Sequence, residues 1–236
     1  GTKLLVRDGG VRGLTVHTGQ MVGIRSEGVP DAPSAEESVE LSALAGTSLS
    51  RLINFTVSKG LSGLEFAAGI PGTVGGAAHM NAGAHGSSFG DVVSWAELVD
   101  MSGERHRFLR GEVDFFYRGS RWPRAGIVTE VGLRLVCRDE KHVLERVKSC
   151  LSERGKRLPI GVGMAGSVFK NPEGDYAGRI IEDAGLKGMR VGQAEVSRKH
   201  ANVIVNLGGA TADEILQLVE TVVRMVEKKT GIVLEK

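Results

Sequence analysis

The chain has 236 residues, 41% of them hydrophobic, enough to bury a sizeable core as one large domain or two small ones. Its 30 basic and 28 acidic residues leave a net charge of +2, which gives no overall attraction to nucleic acid or to a membrane surface, and aromatic residues at 5% are too few for a stacking platform on single strands. The 2 cysteines, Cys137 and Cys150, make neither a disulfide framework nor a metal site and fit a reduced compartment; no apolar run reaches the ~18 residues of a membrane span, and no signal peptide is visible.

From the N-terminus, VRGLTVHTG and MVGIRSEGV (11–29) predict short strands separated by glycine turns. TSLSRLINFTVSKG (47–60) predicts a helix that Thr47 or Ser48 can cap, with apolar residues at 49, 52, 53 and 57 and Gly60 at a left-handed stop. GIPGTVGGAAHMNAGAHG (69–86) has neither the apolar period of a helix nor the alternation of a strand. VVSWAELVD, RHRFLRG and AGIVTEVGLRLV (125–136) predict sheet strands, and HVLERVKSCLSERG (142–155) a helix with Val143, Val147 and Leu151 on one face. RLPIGVGMAGSVFKNPEGD (157–175) reads as a turn-rich connection and a place for a domain boundary; YAGRIIEDAG reads as a short helix, and MRVGQAEVS and HANVIVN as strands. ATADEILQLVETVVRMVEKKTG (210–231) carries the clearest helix signal. Thr211 and Glu214 form a capping box, Ile215, Leu218, Val222 and Val226 make the stripe, Lys228 and Lys229 lie in the last turn, and Gly231 ends it. Strands dominate early and alternate with helices later, so the expected class is α+β.

Glycine, at 34 residues, is about twice its usual ~7% share. Glycine lets backbone approach a ligand closely, and successive N–H groups in such turns form an anion nest. Composition alone leaves open that the glycines only make turns, because neither GxGxxG between strand and helix nor GxxxxGK[ST] is present.

GLSGLEFAAGIPGTVGGAAHMNAGAHG (60–86) resembles the flavin-binding segment of UDP-N-acetylenolpyruvoylglucosamine reductases, which have the PCMH-type (vanillyl-alcohol-oxidase-like) FAD fold. LLVRDGGVRG (4–13), DFFYRGSRW (114–122), AGSVFKNPEGDYAGRIIEDAGLKG (165–188) and SRKHANVIVNLGGATADEIL (197–216) continue the resemblance in order along the chain. The resemblance implies a partial FAD-binding domain over 1–139 and a smaller α/β substrate-binding domain over 140–236. It implies reduction of UDP-N-acetylglucosamine enolpyruvate to UDP-N-acetylmuramate with FAD as cofactor and NADPH as hydride donor. This is a step of peptidoglycan synthesis, and hence of cell-wall biogenesis, cell shape and division. A bacterial cytoplasmic monomer without nucleic-acid or membrane partners is the accompanying expectation.

Carried over, backbone at Ile70, Gly72, Thr73, Gly75, Gly76 and Ala77 would hold the FAD phosphates, and Asn81, Gly83 and Ala84 would line the flavin. The reaction needs hydride at C3 of the enolpyruvyl group, a proton at C2, and stabilisation of the enolate-like intermediate between them. Ser167 matches the family's proton donor and Arg118 its catalytic arginine, whose fork suits a carboxylate gaining charge. Tyr117, Lys170 and Asn171 are the implied substrate contacts, with Glu195 a weaker one; His200 is expected to be a structural imidazole, and Glu182 and Asp183 to be solvated or capping. No histidine cluster has metal-ligand spacing, so no metal is expected.

The match departs from the family at His85, where many relatives carry tyrosine, and at both ends. An N-terminal subdomain ending in a loop like GGGSNLLV would precede LLV, where Thr2 and Lys3 now stand, and a catalytic glutamate would follow the position after Glu235. The expectation is thus a trimmed form of an active parent enzyme, with FAD binding and turnover by the given chain left open. Two alternatives stay open at this point: another PCMH-type flavin oxidase, or a non-catalytic FAD or nucleotide-sugar binding fragment.

Overall fold

The computed structural model describes residues 4–26, 36–159 and 161–236. These divide into two units, residues 16–152 and residues 4–15 together with 153–236. In chain order the first unit contains β1 (Ile24–Arg25), β2 (Ser38–Leu44), α1 (Leu49–Ser58), β3 (Leu61–Ser62), α2 (Val74–His79), β4 (Gly83–Ala84), β5 (Ser87–Ser88), β6 (Val93–Asp100), β7 (Arg105–Leu109), β8 (Asp114–Phe116), β9 (Gly119–Arg121), β10 (Gly126–Cys137) and most of α3 (Glu140–Arg157).

Its main sheet runs β1-β2-β10-β6-β7, antiparallel at every pairing, with β3 against the end of β10. Side chains alternate across a strand, so Val39, Leu41 and Ala43 of β2 and Val131, Leu133 and Leu135 of β10 fall on one face. They are opposite one another in register: Val131 with Ala43, Leu133 with Leu41, Leu135 with Val39. Leu49, Leu52, Ile53 and Thr56, at spacings that share one side of a helix, are the buried residues of α1. Leu49, Leu52 and Ile53 join the same core as Leu61, Leu64 and Phe89, each contributing about 1.5–3 kcal/mol of apolar burial.

Ser48 caps α1, accepting from Arg51 N at 3.2 Å, while Thr47 is buried and exchanges both hydrogen bonds with the Gly23 backbone at 3.0 Å. Gly60 follows the helix with φ of +61°, the left-handed stop its sequence suggests. The strands expected over 11–29 are largely absent. Only Ile24–Arg25 pairs, because Met21 N donates to Thr18 O and Val22 N to Gln20 O, spending the backbone on a turn; residues 27–29 lie outside the described residues. In α3, Val143 and Val147 are buried but Leu151 is 45% exposed. The helical period passes through Cys150, which packs against the core, and leaves Leu151 outside the stripe.

The second unit contains β11 (Gly163–Gly166), α4 (Ala177–Asp183), β12 (Arg190–Val191), β13 (Ala194–Val196), β14 (Val203–Asn206) and α5 (Ala212–Thr230). Its sheet is ordered β11-β14-β13-β12, again antiparallel. β11 lies inside the stretch read as a turn-rich connection. Its glycines carry no strand signal, and pairing with β14 supplies what propensity does not. Leu218, Val219, Val222 and Val226 of α5 pack with Ile180, Ile181 and Leu186. The capping box forms as expected: Glu214 N donates to Thr211 Oγ1 and Thr211 N to Glu214 Oε2, both at 3.1 Å, and Gly231 closes the helix at φ +73°. The α+β class holds in both units.

Candidate active site

The glycine segment is more ordered than its composition suggests. Thr73 forms an isolated antiparallel bridge with Ser48 and caps α2, its Oγ1 accepting from Gly76 N at 3.4 Å. A turn, a bond to the β2–α1 connection and the first helical bond of α2 each take an amide expected to face a cofactor. Ile70 N donates to Ala67 O at 3.0 Å, Gly75 N to Ala45 O at 2.9 Å and Ala77 N to Thr73 O at 2.8 Å. The N–H groups of Ile70, Gly75 and Ala77 therefore have partners within the chain.

The adjacent glycines of α2 differ in kind. A Cβ on Gly75 would lie 2.7 Å from Ala45 Cβ, so close packing of α2 on the β2–α1 connection requires glycine there. A Cβ on Gly76 would meet only Thr73 Oγ1, at 3.5 Å, and the φ of Gly76 is ordinary. Among the described residues no other atom, its chain neighbours and own helix backbone aside, lies within 4 Å of that Cβ, and alanine would favour the helix by about 1 kcal/mol. Gly75 and Gly76 both line a concavity of about 220 Å³, together with Thr18, Ala45, His79 and Val128. Bare backbone facing a concavity fits a flat, extended group such as FAD lying against it.

Asn81 takes a left-handed φ of +43° and is 7% exposed. Its Nδ2 donates to Phe116 O at 2.9 Å and its Oδ1 accepts from Gly90 N at 2.8 Å. The side chain expected to line a flavin is thus committed at both ends to holding loops together. Gly83 and Ala84 form the β4–β5 hairpin, with Gly83 opposite Ser88 and Ala84 opposite Ser87.

The DFFYRGSRW motif folds into the β8–β9 hairpin. Phe116 pairs with Gly119, which leaves Tyr117 and Arg118 as its turn. Arg118 adopts φ +60°, a conformation usually left to glycine or asparagine. Its exposed guanidinium donates from Nη1 to Gly83 O at 2.8 Å and lies 5.1 Å from the Tyr117 ring centroid. Ser120 Oγ donates to His79 O at 2.6 Å. Together with the Asn81–Phe116 bond, these contacts fasten the arginine motif to the glycine segment, two stretches that sequence could only quote separately.

In the second unit Ser167 follows β11 and is exposed. A Cβ on the preceding Gly166 would come within 2.8 Å of Val203 Cγ2, so glycine lets β11 close on β14 at its last pair. Beyond Ser167 the chain is held by Asn202. Val168 N donates to Asn202 O at 3.0 Å and to Oδ1 at 3.1 Å, Phe169 N donates to Oδ1 at 2.9 Å, and Asn202 Nδ2 donates to Phe169 O at 2.8 Å. Sequence reading passed over Asn202; its one clue was an asparagine just before a hydrophobic strand.

Two of the expected substrate contacts have internal partners. Lys170 Nζ forms an ion pair with Glu235, and Lys170 N donates to Glu235 O at 2.7 Å. Asn171 Oδ1 accepts from Ala177 N at 3.1 Å, at the start of α4. Glu195 is buried between Arg190, which bonds it through Nε, and Arg198 at 3.5 Å. His200 is structural, as expected: its Nδ1 accepts from Asn202 N at 3.2 Å, and burial pushes its pKa below the usual imidazole value. Glu182 and Asp183 form exposed ion pairs with Lys187 and Arg179. Among the described residues Asp100, Glu104 and His106 are grouped closely enough for a metal, but Asp100 Oδ1 already accepts from Ser102 N, Ser102 Oγ and Glu104 N, locking a turn.

Residues 158–236 match the family described as UDP-N-acetylenolpyruvoylglucosamine reductase, C-terminal domain, and residues 1–109 match one described as FAD binding domain. The UDP-N-acetylenolpyruvoylglucosamine reductase of Moorella thermoacetica is 47% identical over 235 residues, covering 100% of this chain and 74% of its own. That of Heliobacterium modesticaldum is 42% identical over 237 residues, with 100% and 73% covered. Among solved structures, the UDP-N-acetylenolpyruvylglucosamine reductase of Thermus caldophilus aligns at TM-score 0.73 and 39% identity, over 86% of this chain and 73% of that one.

Proposed function

The chain belongs to the UDP-N-acetylenolpyruvoylglucosamine reductase family, and from that premise we propose how its own residues serve the reaction. The activity is the NADPH-dependent reduction of UDP-N-acetylglucosamine enolpyruvate to UDP-N-acetylmuramate in peptidoglycan precursor synthesis. FAD, when bound, supplies the hydride relay between NADPH and the enolpyruvyl carbon. The backbone of Gly72, Thr73 and Gly76 would hold its phosphates, and the Gly83–Ala84 hairpin would border the ring.

Arg118 binds the substrate carboxylate. Its forked guanidinium stabilises the charge that spreads onto that group when C3 is reduced, and the Gly83 carbonyl sets its orientation. Tyr117 covers one side of the guanidinium. Ser167 gives its hydroxyl proton to C2. A serine is a weak acid, yet the recipient carbanion is strongly basic, so a well-placed hydroxyl suffices. Lys170 and Asn171, engaged with Glu235 and α4, shape the segment that follows Ser167. The reading places the enzyme in the bacterial cytoplasm as a monomer that binds neither nucleic acid nor membrane. The near balance of 30 basic and 28 acidic residues supports the absence of an anionic polymer partner.

The observation that carries the assignment of roles is the Arg118–Gly83 hydrogen bond, which brings the arginine motif to the glycine segment from 35 residues away. The test is stopped-flow spectroscopy of the full-length gene product containing this chain. Flavin reduction by NADPH should persist in Ser167→Ala, while reoxidation by UDP-N-acetylglucosamine enolpyruvate slows by about 10²-fold, the scale of general acid catalysis. Equal loss in both half-reactions, or fast reoxidation by oxygen alone in the unmodified enzyme, would overturn the reading.

A further inference from the structure

We infer that Asn202 is the positioning residue for the Ser167 hydroxyl, an inference that rests on the reading of Ser167 as proton donor. Asn202 is 3% exposed. A buried carboxamide is costly unless its polar groups are bonded, and every hydrogen bond described for the Asn202 side chain goes to Val168 and Phe169, the two residues after Ser167. Its carbonyl oxygen takes both N–H groups while its amino group donates to the Phe169 carbonyl, a two-way pattern that the carboxamide provides and a carboxylate or apolar side chain does not.

The topology explains why a side chain is needed there. The β11–β14 ladder ends at the Gly166–Val203 pair. Past that pair one main-chain bond remains, Val168 N to Asn202 O at 3.0 Å, and the Asn202 carboxamide supplies the others, binding the backbone of 168 and 169 as a neighbouring strand would. Ser167 is left between two anchored points, Gly166 in the sheet and Val168 on Asn202. With the backbone held on both sides, the hydroxyl retains little beyond its own χ1 choice.

Asn202 is itself held. His200 Nδ1 accepts its N–H at 3.2 Å, Val203 N donates to His200 O at 3.0 Å, and Ser197 Oγ accepts from Lys199 N at 3.1 Å and His200 N at 3.3 Å. The turn over 197–203 is therefore a rigid base from which Asn202 reaches the serine loop. An error of about 1 Å in a reacting group can cost 10²-fold in rate, which gives this clamp a route to catalysis without touching substrate.

The test is a double-mutant cycle on the full-length enzyme, followed in both half-reactions by stopped flow. Asn202→Ala is expected to keep flavin reduction by NADPH within about 2-fold and to slow reoxidation by the enolpyruvyl substrate by about 10-fold or more. Because Asn202 acts through Ser167, adding Asn202→Ala to Ser167→Ala is expected to slow reoxidation by less than about 2-fold further. If the alanine variant does not fold, Asn202→Asp keeps the acceptor for both N–H groups and removes the donation to Phe169; it is expected to show a smaller loss with the same non-additivity. Reoxidation at the normal rate in the Asn202 variant, or full multiplication of the two losses, overturns the inference while leaving the role of Ser167 intact. A normal rate in Ser167→Ala alone overturns the proton-donor reading, and this inference with it.

Discussion

Arg118 donates from Nη1 to the carbonyl oxygen of Gly83 at 2.8 Å, and it does so from a left-handed turn position at φ +60°. One guanidinium nitrogen is spent on this bond; under the proposed role the rest of the fork would meet the substrate carboxylate. A non-glycine residue in that conformation costs of order 1 kcal/mol or more, which the Gly83 bond and the Tyr117 ring help to offset.

It follows that Arg118→Lys should retain charge but lose the planar fork. We expect flavin reduction by NADPH to be unchanged and substrate-dependent reoxidation to fall by about 10²-fold, within the range for lost transition-state donors. Single-turnover absorbance at the flavin band reads both steps. A variant equally slow in both would show that Arg118 supports the fold and not the substrate.

Gly75 and Gly76 are adjacent but should respond oppositely to alanine. Gly75→Ala drives a methyl into Ala45 and should destabilise the cofactor-free protein by about 1–3 kcal/mol. Gly76→Ala meets only Thr73 Oγ1, so stability should hold or rise by up to about 1 kcal/mol, while FAD affinity falls. Urea unfolding of the apo form and titration with FAD separate the two effects. Equal loss of stability in both variants would make Gly76 a packing glycine.

His200 predicts a pH dependence whose sign is set by burial. Burial lowers its pKa below the 6.5 of the free side chain; nearby Lys187 and Arg157 lower it further, against its own backbone hydrogen bond and Glu182, which raise it. Between the folded value and 6.5 the unfolded chain binds more protons, so stability is full above about 6.5 and declines as pH falls through the folded value. Protonation would also remove the acceptor for Asn202 N. Urea midpoints of the wild type should drop from pH 7.5 to pH 5, and part of that slope should vanish in His200→Gln. An unchanged slope would exclude His200 as its source.

What the sequence by itself determined are features written within a few residues of one another. The Thr211–Glu214 box, the left-handed glycines at 60 and 231, and the stripe of α5 are all decided by partners no more than about a helical turn away, whereas the choice of Ser48 over Thr47 as the α1 cap followed from the Thr47–Gly23 bonds. The family, too, was legible, because its motifs are contiguous. Tertiary structure alone decided which amides of the glycine segment are spent, which of two neighbouring glycines is needed for packing, and that Asn81, Lys170 and Asn171 are bound internally. It alone brought Arg118 to Gly83 and Asn202 to Val168, partners 35 and 34 residues apart. The physical reason is that a cap or a stripe is a local geometric repeat, whereas these bonds exist only once strand pairing and register have placed distant backbone within about 3 Å.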